Sequence, residues 1–393
     1  MAAELEQWQV WISRNWDLYK QAPPEVRADR QLLLAVLQHR PLALEHAAAE
    51  LRSDPELVLE AVKKDAAALQ FAADGLRADK AFVKRAVSLG WRALRHASEE
   101  LKADAEVALE AVRQDWTALL EAPASVRGEP RVVLEAIKQN GLALGHVAQK
   151  ARQDNRLVTE ALRRNGLALR HACDALRAKR DMVLKAVAQN GLALDYAATP
   201  LRSDREVVLQ AVRNNGLALR SAAEGLRADR GLVMEAVGQN GLALEFAQAV
   251  LREDKQEALE VVLRAVKQNG MALEFAGSFR ADREVVMEAV VQNGMALSFA
   301  WQGFREDREL VRAAVEQCPG ALAFAAEALQ RDPEVAKGTS PQHLRLPPDG
   351  GLVLHKKGEF QNVRGKRFDA YAWLDEGAYQ VEEPYLYRFP FAA

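Results

Sequence analysis

The sequence lacks a disulfide framework, long apolar runs and an excess of either charge. Each of these absences excludes a class of protein. The two cysteines, Cys173 and Cys318, cannot form the disulfide framework of a small secreted domain and favour a reducing compartment. Apolar runs such as 32–37 are far too short to cross a bilayer, and Glu4 and Glu6 stand where a signal peptide would be basic and then apolar. We therefore expect no membrane span, no signal peptide and a cytoplasmic location, with the nucleus left open.

The charge is balanced: 53 lysines and arginines face 55 aspartates and glutamates, for a formal net charge of -2. A protein whose main surface binds nucleic acid or an anionic membrane usually carries a clear positive excess, so this balance argues against either role. Hydrophobic residues make up 49% and charged residues 27% of the chain, which is typical of a soluble globular protein rather than of a disordered one.

Internal repetition is the strongest feature of the sequence, since a unit of 25 residues recurs along most of its length. Residues 204–228, DREVVLQAVRNNGLALRSAAEGLRA, are a good copy. The repeat starts lie near residues 4, 29, 54, 79, 104, 129, 154, 179, 204, 229, 254, 282 and 307. The step from Asp254 to Asp282 is irregular, with 28 residues instead of 25. Because Asn269 comes four residues late, we expect a helix there that is longer by about one turn.

Each unit predicts two short helices. In the copy that begins at Asp204, the carboxylate of this residue is suited to cap a first helix over 205–214, where apolar residues recur at helical spacing. Asn215 and Gly216 end that helix, and we expect the glycine to adopt the left-handed conformation of a helix C-terminus. A second helix over 217–226 carries apolar residues on two faces, which is typical of a helix packed between neighbours.

One such pair of helices is too small to bury a stable core, so the units must stack on one another. The sequence therefore predicts an all-α fold, an α-solenoid of about thirteen 25-residue helix-turn-helix repeats over residues 1–332. Trp8, Trp11 and Trp16 lie in the atypical first unit, where we expect them to cover the open amino end.

The repeat pattern stops at Asp332, and residues 333–393 differ in composition from everything before them. They hold six of the 14 prolines and nine of the 25 aromatic residues. We expect a linker over 338–351, followed by strand-like segments at 351–355 and 368–373. The C-terminal segment is thus predicted to be a linker plus an aromatic-rich tail of mixed β and coil character.

The repeated segments VVLEAIKQNGLAL (132–144), REVVLQAVRNNGLAL (205–219) and REVVMEAVVQNGMAL (283–297) resemble the repeat of an uncharacterised family, domain of unknown function 4116. The resemblance covers about 330 of the 393 residues, with departures in the first four units and at Cys318-Pro319. It implies a tandem α-helical repeat fold. No activity, cofactor or catalytic residue follows from the resemblance, and the tail lies outside it.

Histidine recurs at one position of the unit, which invites comparison with a metal site. The four histidines share that position with phenylalanine and tyrosine in other units, and no cysteine or acidic column completes a ligand set. A packed or half-buried ring is therefore favoured over a metal ligand. The histidines are His46, His96, His146 and His171.

Two further sets of residues recur at equivalent positions of the repeats, and each allows an alternative function. A basic residue closes each unit and could follow the phosphates of a nucleic acid, but pairing with the acidic residue two positions later would neutralise it. The asparagines before the glycines could hold a peptide backbone, but a role at the helix end is favoured. The basic column is Arg27, Arg52, Arg77, Lys102, Arg127, Arg152, Arg177, Arg202, Arg227, Arg252, Arg280 and Arg305. The asparagines are Asn140, Asn165, Asn190, Asn215, Asn240, Asn269 and Asn293.

No motif of a phosphate-binding loop, a dinucleotide site, a zinc protease or a serine hydrolase occurs, so we expect no enzyme, no cofactor and no metal site. We expect a non-enzymatic protein-protein interaction scaffold that presents a repeated polar helix face to a protein or an extended peptide. Two alternatives stay open: a nucleic-acid-binding solenoid that uses the arginine column, and an enzyme or ligand module in the C-terminal tail. The predicted partner-binding residues are Lys138, Gln139, Arg163, Arg164, Gln189, Arg213, Asn214, Gln239, Lys267, Gln268 and Gln292.

Overall fold

The computed structural model describes residues 2–254 and 257–336, together with three short strands at 353–354, 359–361 and 367–369. Within these residues the chain is a tandem array of helical repeats followed by a small antiparallel sheet, which confirms the predicted all-α solenoid. The predicted linker at 338–351 lies outside the described residues.

Each repeat contains three pieces in the same order: an α-helix of ten residues, a 3₁₀-helix of six residues and a short helix of three to five residues. The long helices are Arg30–His39, Pro55–Lys64, Lys80–Leu89, Ala105–Gln114, Pro130–Gln139, Asn155–Arg164, Arg180–Gln189, Arg205–Asn214, Arg230–Gln239, Leu259–Gln268, Arg283–Gln292 and Arg308–Gln317. The 3₁₀-helices are Trp16–Gln21, Pro41–His46, Ala66–Phe71, Trp91–His96, Trp116–Glu121, Gly141–His146, Gly166–His171, Gly191–Tyr196, Gly216–Ser221, Gly241–Phe246, Gly270–Phe275, Gly294–Phe299 and Pro319–Phe324. The short helices are Pro24–Arg27, Ala49–Arg52, Asp74–Arg77, Glu99–Lys102, Val126–Gly128, Ala151–Gln153, Asp174–Arg177, Thr199–Arg202, Glu224–Arg227, Val250–Glu253, Gly277–Ala281, Gln302–Arg305 and Glu327–Gln330.

The long helix begins where the sequence predicts. The Asp204 carboxylate accepts from the backbone N–H groups of Glu206, at 3.0 Å, and Val207, at 3.2 Å, so it satisfies two of the donors that a helix leaves free at its start. The same cap recurs at most of the other acidic repeat starts, for example at Asp54 and Asp307.

The predicted second helix over 217–226 is wrong, because the chain breaks it after Ser221 into a 3₁₀-helix and a single turn. Ala222 and Ala223 between them are extended. The break follows from a bond between repeats: the N–H of Ala223 donates to the carbonyl of Arg202 in the preceding repeat, at 2.9 Å, and so leaves the helical ladder. Equivalent bonds join most successive repeats.

The expected left-handed glycine after Asn215 is also wrong. Asn215 itself is extended, and its side chain accepts from the N–H of Leu217, at 3.0 Å, so it caps the start of the 3₁₀-helix. Gly216 is needed for space instead, since a Cβ there would lie less than 3.0 Å from the carbonyl oxygen of Ala236 in the next repeat. Among the described glycines only Gly277 has a positive φ, of 52°.

The helices form two layers with the core between them. Long helices of successive repeats pack side by side in one layer, and the 3₁₀-helices pack side by side in the other. Most long helices bury four apolar side chains and most 3₁₀-helices bury two, so that the core runs along the whole array. In the repeat that begins at Asp204 these residues are Val207, Val208, Ala211, Val212, Ala218 and Leu219.

The irregular repeat that begins at Asp254 does not contain the longer helix that we expected. Leu259–Gln268 has the usual ten residues, and the extra residues lie ahead of it, where the Asp254 carboxylate accepts from the N–H of Glu257, at 3.1 Å. The second half of this repeat is one residue shorter than in the other repeats. The chain accommodates the shorter length at Gly277, where a positive φ replaces the two extended residues that usually follow the 3₁₀-helix.

Both ends of the array depart from the regular repeat. Helix Ala2–Arg14 opens the first unit, and Trp8 packs against the core while Trp11 stays 42% exposed, so the expected tryptophan cover is only partial. Trp16 stacks on His39 of the next repeat, with ring centroids 4.6 Å apart. At the other end a short helix, Pro333–Ala336, follows the last full repeat.

The three strands Val353–Leu354, Glu359–Gln361 and Arg367–Asp369 pair antiparallel in chain order. The first and third overlap the two strand-like segments of the sequence, and the middle one was not predicted. The rest of the tail lies outside the described residues.

Candidate partner-binding surfaces

The predicted polar residues lie in the last turn of the long helices, and six of them have a role between repeats that the sequence did not reveal. Each of these amide side chains accepts from the first backbone N–H of the preceding 3₁₀-helix; Gln239 accepts from Gly216, at 2.9 Å. Because that N–H is one of the free donors of a helix start, the bond ties the two layers of adjacent repeats together. The six are Gln139, Gln189, Asn214, Gln239, Gln268 and Gln292. Their contact with a partner stays a prediction.

Arg164 is the exception in this series. Its guanidinium turns to Glu160 of its own helix, at 3.1 Å, and the buried N–H of Gly141 is left without an acceptor among the described residues. Arg163 bonds to the same carboxylate, and this pair of arginines lowers the pKa of Glu160 to about 2.

The other predicted cations are exposed and form surface ion pairs. Lys138 pairs with Glu135 in its own helix, while Arg213 pairs with Glu235 and Lys267 with Glu288 in the next repeat. The distances are 3.4 Å, 3.1 Å and 3.7 Å, and exposed pairs of this kind contribute little stability, about 0–1 kcal/mol each. Their side chains are therefore available to a partner at little cost to the fold.

These cations belong to the tenth position of the repeat, which points away from the core. Eleven of the twelve residues at this position are exposed, and they include basic, acidic, polar and apolar side chains. The column consists of Gln38, Lys63, Ser88, Arg113, Lys138, Arg163, Ala188, Arg213, Gly238, Lys267, Val291 and Glu316. By contrast the eighth position, two residues earlier and therefore on the opposite face of the helix, holds a buried alanine in most repeats.

The arginine column that closes each repeat is half-buried rather than free. The Nε atoms of ten of these arginines are buried and donate no hydrogen bond within the described residues. Some of these residues bond to the carbonyl that ends the next 3₁₀-helix, as from Arg280 Nε to Phe299, at 2.6 Å, and from Arg27 Nη1 to His46, at 3.3 Å. Others, such as Arg177, pair with an acidic residue of their own short helix. The positive charge thus lies against the negative end of a helix.

The expected pairing of this column with the next acidic residue is wrong. The acidic repeat starts pair instead with a cation at the second position of the preceding repeat, where the geometry brings the two long-helix starts side by side. These pairs are Arg30–Asp54, Lys80–Asp104, Arg180–Asp204, Arg205–Asp229, Arg283–Asp307 and Arg308–Asp332, with distances from 2.7 to 3.1 Å.

The histidine position lies at the end of the 3₁₀-helix, against the neighbouring repeat. The His146 ring is 5.9 Å from the ring of Trp116, and His171 accepts from Arg170 Nε, at 2.8 Å. Burial, together with the charges of Arg170, His146 and Arg152, lowers the pKa of His171 to about 4, so its ring is neutral at pH 7. Within the described part of the chain no group of three potential ligands is placed to hold a metal ion.

No helix in the described residues is both long and apolar enough to span a membrane. Both cysteines are free thiols, and Cys318 stands where an asparagine caps the 3₁₀-helix of most other repeats but forms no such cap itself.

Repeats that stack long helices and 3₁₀-helices in two layers define an α-solenoid, and the comparison with protein families agrees. The model of the family "Domain of unknown function (DUF4116)" matches the chain seven times, and each match spans two of the repeats described above. The matches fall at residues 29–77, 54–102, 79–127, 130–177, 179–227, 229–280 and 282–330. The chain belongs to this family. A search of curated proteins gives no match.

Proposed function

We propose that the repeat domain is a non-enzymatic scaffold that binds a protein or an extended peptide on the outward face of its long helices. The observation that carries the proposal is the tenth-position column, which is exposed in nearly every repeat and differs from one repeat to the next. A rigid array with a variable outer surface suits recognition of a partner along its length.

The remaining polar columns support the same division between frame and surface. The acidic residue at the repeat start, the asparagine before the 3₁₀-helix and the glutamine of the last turn are each bonded within the array, as Asp204, Asn215 and Gln239 illustrate. They stabilise the frame, so side chains such as Lys138, Arg163 and Arg213 are left to make contacts outside it.

The test is capture of partners from native lysate by the full chain, with quantitative mass spectrometry. The outer-face variant carries Lys138→Glu, Arg163→Glu and Arg213→Glu, which reverse exposed charges without touching the bonds between layers. At least one partner should be lost by about tenfold or more, which corresponds to about 1.4 kcal/mol, while the thermal melt stays within about 3 °C of the parent. Retention of every partner by a folded variant would refute the assignment of this surface to partner binding.

A further inference from the structure

Several basic side chains of the 3₁₀-helices and short helices have no acidic partner among the described residues, and four of them lie in three consecutive repeats near the middle of the array. These four are Arg127, Lys150, Arg152 and Arg170, which we call the basic patch. None of the four forms an ion pair with any residue that the structure describes. Lys150 and Arg170 are exposed, and Arg127 and Arg152 are half-buried.

The acidic side chains around the basic patch are held by other arginines. Glu121 pairs with Arg95 on one side, and Asp174 pairs with Arg177 of its own short helix. Asp195, at the position of Arg170 in the next repeat, accepts from Arg220 and from the hydroxyl of Ser221. No carboxylate in the described part of the chain is therefore paired with these four residues.

The guanidinium groups in the basic patch are also short of acceptors. The Nε atoms of Arg127 and Arg152 are buried and have no hydrogen-bond partner in the described part of the chain. Arg170 donates a hydrogen bond from its Nε to the His171 ring. That ring lies beside Gly145, where a Cβ would be 2.7 Å from the His171 Cε1 atom. The next three repeats carry a charged side chain at the position of Gly145, whereas the glycine adds no charge beside the basic patch.

The net charge of the repeats around the basic patch is also positive. Residues 129–228 contain 17 basic and ten acidic residues, whereas residues 229–332 contain 11 basic and 17 acidic residues. The balanced total charge of the chain hides this separation. A negatively charged partner is attracted to the middle of the array and repelled by the repeats that follow it.

We propose that the basic patch binds an acidic protein segment in an extended conformation, with its carboxylates on the arginines of successive repeats. Arg127 and Arg152 hold equivalent positions in adjacent repeats, which places them ~8–10 Å apart along the packed array. A polyproline II peptide presents every third side chain on one side at ~9.3 Å. The spacing therefore selects a segment with Asp or Glu at every third residue. This surface is separate from the outward face of the long helices, so the two proposals can fail independently.

The probe is a fluorescein-labelled peptide of five Glu-Pro-Pro units, with fluorescence anisotropy as the readout on the full chain. A second peptide has the same composition with its glutamates contiguous. The patch variant carries Lys150→Glu and Arg170→Glu. The matched control carries Lys138→Glu and Arg163→Glu, with the same change of charge in the same two repeats but on the long-helix face. Thermal melts confirm that both variants fold.

We expect the patch variant to bind the spaced peptide about tenfold more weakly than the parent and the control to stay within about threefold, because only long-range attraction is lost there. The contiguous peptide should bind about fivefold more weakly than the spaced one, since its carboxylates cannot reach successive arginines together. Equal losses in both variants, equal affinity for both peptides or no binding at all would overturn the proposal. It would also be overturned by a 20-nucleotide single-stranded RNA that binds more tightly than the peptide and is lost in the patch variant.

Discussion

Replacing Gly216 by alanine is expected to destabilise the array, although alanine is the better helix former. The new Cβ would lie less than 3.0 Å from the carbonyl oxygen of Ala236, which already accepts from the N–H of Asn240, at 2.8 Å. An ordinary contact needs about 3.4–4 Å, so the next long helix has to move away. Overpacking of this kind costs about 1–3 kcal/mol, and loss of glycine's freedom in the unfolded chain returns about 0.4–1 kcal/mol. We expect a net loss of about 1–2 kcal/mol.

Gly225→Ala is the matched control, because this glycine lies in the exposed single turn of the same repeat and a Cβ there meets nothing within 4 Å among the described residues. It should stabilise the protein by about 0.5–1 kcal/mol through helix propensity. Urea unfolding followed by circular dichroism measures both, with the slope of the transition compared because long repeat arrays can lose cooperativity. If Gly216→Ala proves as stable as Gly225→Ala, the close approach between repeats is not what requires the glycine.

Three further changes test single features of the frame. Arg164→Gln should raise the urea midpoint by an amount worth about 1 kcal/mol, because the new amide can accept from the buried N–H of Gly141; an unchanged midpoint would contradict the role of the glutamine series. Lys179→Asp should add about 1 kcal/mol, since this helix start lacks a side-chain cap, and the gain should be absent with Lys179→Ala. The folded-state pKa of His171, about 4, lies below its ordinary 6.5, so the unfolded chain takes up the proton first and stability falls as the pH drops from 6.5 to 4. His171→Phe should reduce the fall of the melting temperature on acidification through that window, and an identical fall would refute the assignment.

The long helix could be predicted almost to the residue, because local chemistry determines it. Asp204 caps its start, apolar residues at helical spacing form its buried face, and the observed bounds Arg205–Asn214 coincide with the expected ones. The second half of the repeat could not be predicted, since the hydrogen bond that breaks its helix runs from the N–H of Ala223 to the carbonyl of Arg202 in another repeat. Helical periodicity over 217–226 fits a continuous helix equally well, and only stacking decides between the two forms.

In the candidate surfaces, too, some features could be predicted from the sequence and others are visible only in the fold. Exposure of Lys138 and Arg163 follows from their place on the polar side of a helix, which the sequence shows directly. The amide of Gln239, by contrast, meets its partner Gly216 across 23 residues of chain, so its role between repeats is visible only in the fold. The basic patch could not be predicted, because each basic residue of the column was expected to pair with the acidic residue two positions later. A clue was present, since Arg152 lacks the acidic residue that Arg177 has three positions earlier.

Two departures from the repeat rules lie in neighbouring repeats, and both add a basic residue. Arg164 replaces the amide that most other repeats from Gln114 onwards use to bond the preceding 3₁₀-helix, and Lys179 replaces an acidic cap. Each replacement gives up about 1 kcal/mol that the ordinary residue would supply. Natural proteins tend to break their own structural rules at functional sites, where another requirement outweighs stability. Here both exceptions lie in the central basic segment of residues 129–228. If the basic patch binds an acidic partner as proposed, the positive charge that they add to this segment favours that partner at the expense of stability.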